Sequence, residues 1–486
     1  MRFEPIYRIE EIRAIEAAAG APGLMERAGM AAAERARDLL AGRRSRVLVL
    51  VGPGNNGGDA MVVARHLKSW FFDVVVCARD TAAARRAFDG PTVEDWPPDR
   101  DFGLIIDGLF GIGLARAIRQ PYAHWIAQAN DSGIPILALD VPSGLDADTG
   151  AASSAAIRAS ATATFIALKP GLLTLDGPDH CGTISVHGLD LEASALIPAT
   201  GRRNDWMVWR AALPQALRRT RRNVHKGSFG TLGLVGGSEG LTGAPLLAAR
   251  AALHLGAGKV FVGFAAKVPP AVDPLQPELM LRDAADIVGR TLDALVIGPG
   301  LGTGEHAREL LTAALRLSVP LVIDADALTL ISDDAALAAS VAGRSAATAL
   351  TPHPAEAARL ANASSDDIQR DRLQAALALA HRMKAAIVLK GSGSVLAFAD
   401  GRWAINSSGN PGLASGGTGD VLAGMLGALL AQGIEIETAL PLAVAVHGAA
   451  ADALVAQGVG PVGLTASELA PAARRLINDA AASSRD

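Results

Sequence analysis

Short, wholly apolar runs separated by glycine-rich loops recur along the chain. In the first half they are Val47–Val51, Val74–Cys77, Leu104–Ile106, Ile136–Leu139 and Thr164–Ala167. Apolar residues fill successive positions rather than alternate ones, as expected for strands covered on both faces. Each run passes into a Gly/Asp/Asn loop and then into a stretch with helical spacing. The pattern predicts a parallel sheet with helices on both sides. Ile9–Leu40, ahead of the first run, predicts one or two helices packed on that sheet.

The same pattern resumes near residue 227 with Thr231–Val235, Lys259–Phe264, Leu295–Ile297, Leu321–Ile323, Ala349–Thr351 and Ile387–Lys390. Val395–Ala399 and Arg402–Ile405 flank Asp400-Gly401, a turn pair that predicts a hairpin. A long helical stretch begins near Asp420. The two halves share an architecture but no repeated motif. The expected fold class is therefore α/β, with two different doubly wound three-layer domains. Their expected bounds are 1–205 and 227–486, with 206–226 as linker and domain entry.

That linker carries Arg218, Arg219, Arg221 and Arg222. An anion patch is one reading of them; a solvated linker and helix C-terminus is the favoured one. Overall charge supports the second reading. Lys plus Arg is 45 and Asp plus Glu is 49, a net charge of -4, which argues against a chain built to grip nucleic acid or acidic membrane. The 486 residues, half of them hydrophobic, suffice for two large cores. Two cysteines, Cys77 and Cys181, cannot form a disulfide framework and suggest a cytoplasmic protein. The N-terminal MRFEPIYRIEEIRAIE has no signal-peptide core, and no uninterrupted run of about 20 apolar residues predicts a membrane span.

Candidate chemistry lies where the apolar runs end. Gly52, Gly54 and Gly57 have G-x-G-x-x-G spacing between a strand and a helix, a weak dinucleotide signal by itself. The acid expected about 20 residues on is missing, since Asp80 sits late for that role. More specific is Asn55-Asn56-Gly57-Gly58-Asp59, which adds amides and a carboxylate to the backbone groups. Asp107 ends another run, before Gly108, Gly111 and Gly113. Asp140 ends the next, before Pro142-Ser143-Gly144. In a parallel sheet these carboxyl ends share one edge, so Asn56, Asp107, Asp140 and Ser143 can converge. Asp, Asn and Ser form a hard-oxygen set suited to an alkali or alkaline-earth ion, and Asp140 remains for acid–base work.

In the second half, Gly416-Gly417-Thr418-Gly419-Asp420 runs into an apolar helix. Such a helix start offers backbone N–H groups to a phosphate, and Asp420 stands at its mouth. No Walker loop is present. Lys390-Gly391-Ser392-Gly393-Ser394 offers a cation and hydroxyls. His353 in HPAE follows a strand, and Gly298–Gly302 and Gly237–Ala244 are further backbone-exposing loops.

The first half resembles the NAD(P)H-hydrate epimerase family through Asn55–Asp59, the Asp107 loop and DVPSGLDADTG at Asp140–Gly150. The second half resembles the ribokinase-like NAD(P)H-hydrate dehydratase family through HKGSFG, GPGLG, TPHPAE, LKGSGS and NPGLASGGTGDVL. Together these motifs cover nearly the whole chain, in the order of the fused bacterial repair enzymes. The resemblance implies a Rossmann-like first domain and a ribokinase-like second. It implies that Asn55, Asn56, Gly57, Gly58, Asp59, Gly111, Ile112, Gly113, Leu114, Ala115, Arg116, Ala117 and Asp140 hold hydrated nicotinamide nucleotide. Asn56, Asp107 and Ser143 would ligate potassium. Ala244, Gly302, His353 and Asp420 would contact the hydrate at the second site, while Lys390, Gly391, Ser392, Gly393, Ser394 and Gly419 would contact ADP. Asp140 and Asp420 would be catalytic, with magnesium on the ADP phosphates.

The implied partners are NADHX, NADPHX and ADP, with neither nucleic acid nor membrane; a homo-oligomer is expected. Two positions depart from the family pattern: Ala60 follows NNGGD, and Ala355 stands in PHPGE, where the family usually has glycine. Two other readings remain at this point. The second half can be a ribokinase-like small-molecule kinase with a regulatory first half, or the first half can be a non-catalytic binding module.

Overall fold

The computed structural model describes residues 3–43, 45–98, 101–113 and 117–483. The chain divides into two compact units: Glu4–Gly201, and a second that begins at Arg202 and takes in Phe3.

In the N-terminal unit seven strands form one sheet: β1 (Arg46–Val51), β2 (Val74–Ala78), β3 (Thr92–Val93), β4 (Phe102–Gly108), β5 (Ile136–Leu139), β6 (Ala161–Phe165) and β7 (Thr183–His187), in the order β3-β2-β1-β4-β5-β6-β7. The described pairings are all parallel, and the order of β1 to β6 is that of a Rossmann sheet. The apolar runs explain themselves here. Val47 and Val49 face one core with Leu104, Ile106, Leu137 and Leu139. Leu48 and Leu50 face the other with Ile105, Ile136 and Ala138. Ile9–Leu40 forms two helices, Ile9–Ala19 and Leu24–Leu40, broken where Gly20 and Gly23 take positive φ of 51° and 77°.

The unit differs from the sequence reading in the bounds of β6 and in its two edge strands, β3 and β7. The strand expected at Thr164–Ala167 lies at Ala161–Phe165, because Ile166 turns out of the sheet with φ 67°. β7 was not expected, since TISVH, exposed or half-buried throughout at the open edge of the sheet, shows no apolar run. Asp80 caps helix Thr81–Ala87, accepting from Ala83 N at 2.8 Å.

The C-terminal unit contains β8 (Thr231–Gly236), β9 (Lys259–Phe264), β10 (Met280–Asp283), β11 (Ala294–Ile297), β12 (Leu321–Ile323), β13 (Thr348–Leu350), β14 (Ala386–Leu389), β15 (Val395–Ala397) and β16 (Trp403–Asn406). They run β16-β15-β14-β13-β12-β11-β8-β9-β10, parallel except at the β14-β15-β16 hairpins. Helices Gly243–His254, Thr418–Ala431, Ile436–Ala456 and Ala466–Ser483 bury one sheet face. Two of them approach so closely that a Cβ on Gly424 would lie 1.9 Å from the Ala248 carbonyl oxygen. Ile436–Ala456 has the length and apolarity of a membrane span, yet it is a core helix, buried over most of its length. The expected linker 206–226 begins inside this unit. Trp206 and Trp209 enter the core, anchoring an Arg-rich stretch that looks solvated from its composition.

Candidate active sites

In the N-terminal unit the site grows from the carboxyl ends of β1, β4 and β5. Register aligns Leu50 with Asp107 and Asp107 with Ala138, which brings the three following loops to one edge. After β1 the chain turns into helix Asn55–Ser69, with Asn55–Asp59 in its opening turns. Two glycines of the G-x-G-x-x-G spacing are required by packing. A Cβ on Gly52 would stand 1.7 Å from the Leu109 carbonyl oxygen, and one on Gly57 would stand 2.0 Å from that of Gly52. Gly58 faces Met25, whose Cε would lie 2.6 Å from an added Cβ.

Asp107 is fully buried. Ser143 N reaches its Oδ2 at 2.8 Å, Ser143 Oγ its Oδ1 at 2.6 Å and Leu109 N its Oδ1 at 3.2 Å. Burial nevertheless outweighs these donors and pushes the Asp107 carboxyl up to about 6. Beside this pair, Asn56 is buried with neither its Oδ1 nor its Nδ2 partnered among the described residues. An added Cβ on Gly111 would touch the Asn56 side chain at 3.4 Å. An orphaned buried amide is costly, so this oxygen-rich corner fits a bound cation better than it fits an empty core.

A cleft of about 790 Å³ opens over these loops. Asn55, Asn56, Asp59, Gly111, Ile112, Gly113 and Asp140 line it, as the sequence reading expected. Gly57 and Gly58 lie behind this lining in the helix. Ala117 is exposed, while the expected contacts Leu114, Ala115 and Arg116 fall outside the described residues. Two cleft residues, Glu16 and Lys169, were not singled out from sequence. Lys169 is fully buried and donates to Asp140 Oδ1, to Thr164 Oγ1 at 2.9 Å and to Phe165 O at 2.8 Å. Asp140 itself sits at φ 64°, a backbone region that is uncommon outside glycine and concentrates at functional sites. Desolvation first, then the charges of Asp140 and Glu16, push Asp59 up to about 7. The cleft thus combines a fixed cation with three carboxylates, Asp140 beside the lysine and Asp59 and Glu16 raised by burial.

In the C-terminal unit, β8, β11, β12, β13 and β14 also end on one edge. Ile297 pairs with Ile323, Ile323 with Leu350 and Leu350 with Ile387. Gly298–Gly302 packs on Gly237–Ala244: an added Cβ on Gly300 would stand 3.4 Å from that of Ala244, and one on Gly302 would stand 3.3 Å from Ser238 Oγ. Asp324 and Asp326, beyond β12, were not singled out from sequence. Asp326 Oδ2 accepts from Gly302 N at 2.8 Å, and Asp324 Oδ1 from Thr351 Oγ1 at 2.8 Å. Between them Ala325 is held at φ 49°, ψ -121°, a strained setting for a residue with a Cβ.

Lys390 points at Asp324 and Glu356 rather than along its own glycine loop. Its Nζ is 3.0 Å from Asp324 Oδ1 and 3.9 Å from Glu356 Oε2. Gly419 lies alongside, its added Cβ 3.3 Å from Lys390 Nζ. Asp420, in the first turn of helix Thr418–Ala431, is pushed up to about 7, by burial first and then by Asp324, against the pull of Lys390. His353 caps helix Pro354–Ala361, its Nδ1 accepting from Ala355 N at 3.1 Å. Its Nε2, on a half-exposed ring, lies 3.4 Å from Glu356 Oε1. Under Gly391–Ser394 the buried Arg372 donates to Lys390 O at 3.2 Å and Leu389 O at 3.3 Å. Among the described residues no group of three or more His, Cys, Asp or Glu is arranged to hold a metal by itself.

The NAD(P)H-hydrate dehydratase model matches residues 232–474, and that of the YjeF-related protein N-terminus matches residues 22–171. The bifunctional NAD(P)H-hydrate repair enzyme of Coxiella burnetii is 36% identical over 97% of this chain and 99% of its own. This chain belongs to the bifunctional NAD(P)H-hydrate repair enzyme family. Its Escherichia coli relative of the same description is 38% identical over 94% of this chain and 89% of its own. Among solved structures, the ADP/ATP-dependent NAD(P)H-hydrate dehydratase of Bacillus subtilis, crystallised with ATP and Mg2+, is 32% identical. It covers 54% of this chain and 96% of its own, with a TM-score of 0.50. The C-terminal unit has the ribokinase-like fold of this family and the N-terminal unit the Rossmann-like one.

The family departures are accommodated. Ala60 packs on Gly108, which lacks a Cβ at the contact, and Ala355 is exposed.

Proposed function

We propose that this enzyme repairs hydrated nicotinamide nucleotides in two steps: the N-terminal unit interconverts the R and S hydrates, and the C-terminal unit dehydrates the S form with ADP. The observation that carries the reading is the presence in one chain of two complete strand-edge sites, each built from its own family's motifs. Hydration leaves a hydroxyl on the carbon beside the ring nitrogen. The nitrogen lone pair expels it, and water returns to either face. Asn55–Asp59, Gly111–Ala117 and Asp140 would bind the nucleotide, with Asp140 exchanging the proton. The unpartnered Asn56 amide, with Asp107 and Ser143, supports a potassium site that would fix the loop geometry.

At the second site Asp420 would take the proton of the S hydroxyl as its oxygen attacks the terminal phosphorus of ADP, releasing AMP. Backbone N–H groups of Gly416–Asp420 would hold the transferring charge. Phosphate then leaves the ring carbon, driven by the nitrogen lone pair, and loss of the neighbouring proton restores NADH or NADPH. Ala244, Gly302 and His353 would contact the hydrate, and Lys390–Ser394 with Gly419 the nucleotide. Magnesium would neutralise charge on the ADP phosphates. We place the activity in the cytoplasm. Both cysteines are buried free thiols, which burial pushes up to about 12, so neither depends on an oxidising compartment.

The test mixes the protein with each pure hydrate epimer, with and without ADP and magnesium, and follows NADH absorbance. S-hydrate should yield NADH only with nucleotide, accompanied by AMP and phosphate. Accumulation of a phosphorylated product would instead favour a small-molecule kinase.

A further inference from the structure

We propose that Lys169 is the positioning residue of the epimerase site: it anchors one oxygen of Asp140 and leaves the other to the cleft. This rests on the reading of the N-terminal unit as an epimerase. A lysine ammonium has three protons. All three are committed here, to Asp140 Oδ1, Thr164 Oγ1 and Phe165 O. The side chain is fully enclosed, so none of these bonds is shared with solvent. Lys169 therefore has no proton left for a substrate, and its charge acts through Asp140.

The contacts of Asp140 are one-sided. Lys169 Nζ, Thr164 Oγ1 at 3.3 Å and Phe165 N at 3.2 Å all donate to Oδ1. No described residue is recorded donating to Oδ2, on a residue that lines the cleft. One oxygen is anchored and the other is free to take and return a proton. The anchor also explains the backbone. Asp140 is held at φ 64° by Asp140 N donating to Ala163 O at 2.7 Å and by the bonds to Oδ1. Asp140 is the cleft carboxylate with a lysine within hydrogen-bond reach, an attraction lost when the lysine is replaced, while burial raises Asp59 and Glu16 nearby.

The experiment compares the parent, Lys169→Met, Lys169→Gln, Asp140→Asn and the double variant Asp140→Asn/Lys169→Met as full-length chains. Each is assayed for R-to-S epimerisation across pH and for ADP-dependent dehydration of S-hydrate. Thermal unfolding is followed in parallel. Lys169→Met should lower epimerisation kcat by roughly 10²-fold, the lower end of what a misplaced base costs, with KM little changed. The acid limb of its pH–rate profile should move to higher pH, while dehydration stays at the parent rate. Lys169→Gln should behave alike, since it keeps a donor but no charge. On the Asp140→Asn background the Met substitution should cost nothing further, because Lys169 acts only through Asp140.

Three results would overturn the proposal: a raised KM with unchanged kcat, an equal loss in the Asp140→Asn background, or a loss of rate with an unmoved pH profile. If the parent epimerises and both Lys169 variants match it, the positioning role alone fails. If the parent itself does not epimerise, the functional reading fails and the proposal with it.

Discussion

Lys390 Nζ stands 3.0 Å from Asp324 Oδ1, so a lysine from one strand end neutralises an acid from another across the C-terminal site. Asp324 is nearly fully buried, whereas about a fifth of the Lys390 side chain remains exposed, 21%. Asp324→Asn should destabilise the C-terminal unit. Breaking a fully enclosed pair costs about 3–5 kcal/mol, and here solvent and Glu356 remain for Lys390, so about 1–3 kcal/mol is expected. Adding Lys390→Met should recover part of the loss. Urea unfolding of the two variants measures both effects, and an Asp324→Asn protein as stable as the parent would count against a structural pair.

Asp420 carries the pH dependence of the same site. Its carboxyl is raised from the ordinary 3.8 to about 7, so the folded state binds this proton more tightly than the unfolded chain does. Between those values the native state holds more protons, and the contribution to stability falls as pH rises through the window. Asp420→Asn should match the parent near pH 4 and exceed it at pH 8, by about 1–3 kcal/mol given partial solvent access. Dehydration, which needs the ionised base, should rise in the parent with a midpoint near 7 and be lost in the variant. Urea titrations at the two pH values and a pH–rate profile test both halves. A variant that dehydrates S-hydrate at the parent rate would remove Asp420 from the mechanism.

Much of this architecture is legible in the chain because parallel strands are buried on both faces. Runs such as Val47–Val51 and Leu321–Ile323 therefore stand out, and glycine loops mark their carboxyl ends. Asp107 and Asp140 can be found from that rule alone, and Asp420 from a glycine-rich loop that runs into an apolar helix. What escapes is whatever depends on where strands bend. Lys169 follows a strand whose expected end was displaced by the turn at Ile166, so its approach to Asp140 has no sequence signature beyond a lysine past a strand. Asp324 and Asp326 obey the strand-end rule, but no glycine announces them; the strained Ala325 occupies the place a glycine would mark. β7 and β10 are short edge strands, where partial exposure breaks the apolar run.

Gly108 and Ala60 show how a family departure is absorbed. An added Cβ on Gly108 would lie 2.3 Å from that of Ala60 and 3.0 Å from the Asn56 carbonyl oxygen. Gly108→Ala should cost about 1–3 kcal/mol, the usual range for overpacking a close-packed core. Restoring glycine at the facing position, in Gly108→Ala/Ala60→Gly, should return a good part of it. The clash with the Asn56 carbonyl would remain and keep recovery incomplete. Denaturant midpoints of the single and double variants decide this. A double variant no more stable than Gly108→Ala would show that the strain lies elsewhere.

Potassium should stabilise the N-terminal unit through the corner formed by Asn56, Asp107 and Ser143. The buried Asn56 amide has no partner among the described residues for either of its polar atoms. Asp107 is fully enclosed and is raised to about 6 by that burial, although three donors already reach it. A monovalent cation would meet an amide oxygen, a carboxylate and a hydroxyl, relieving both the orphaned amide and the enclosed charge. A ligand bound to the folded state alone raises stability with its concentration, by about 2.7 kcal/mol at a hundredfold excess over Kd. At pH 8 and constant ionic strength, replacing choline chloride by potassium chloride should raise the unfolding temperature of the parent. Asp107→Asn removes the charge while keeping the shape, and should abolish the potassium increment. Dehydration of S-hydrate by the same variant serves as the control for the C-terminal unit. A potassium increment that survives in Asp107→Asn, or that choline reproduces, would mean that the corner is an ordinary polar core and that its orphaned amide is satisfied in some other way.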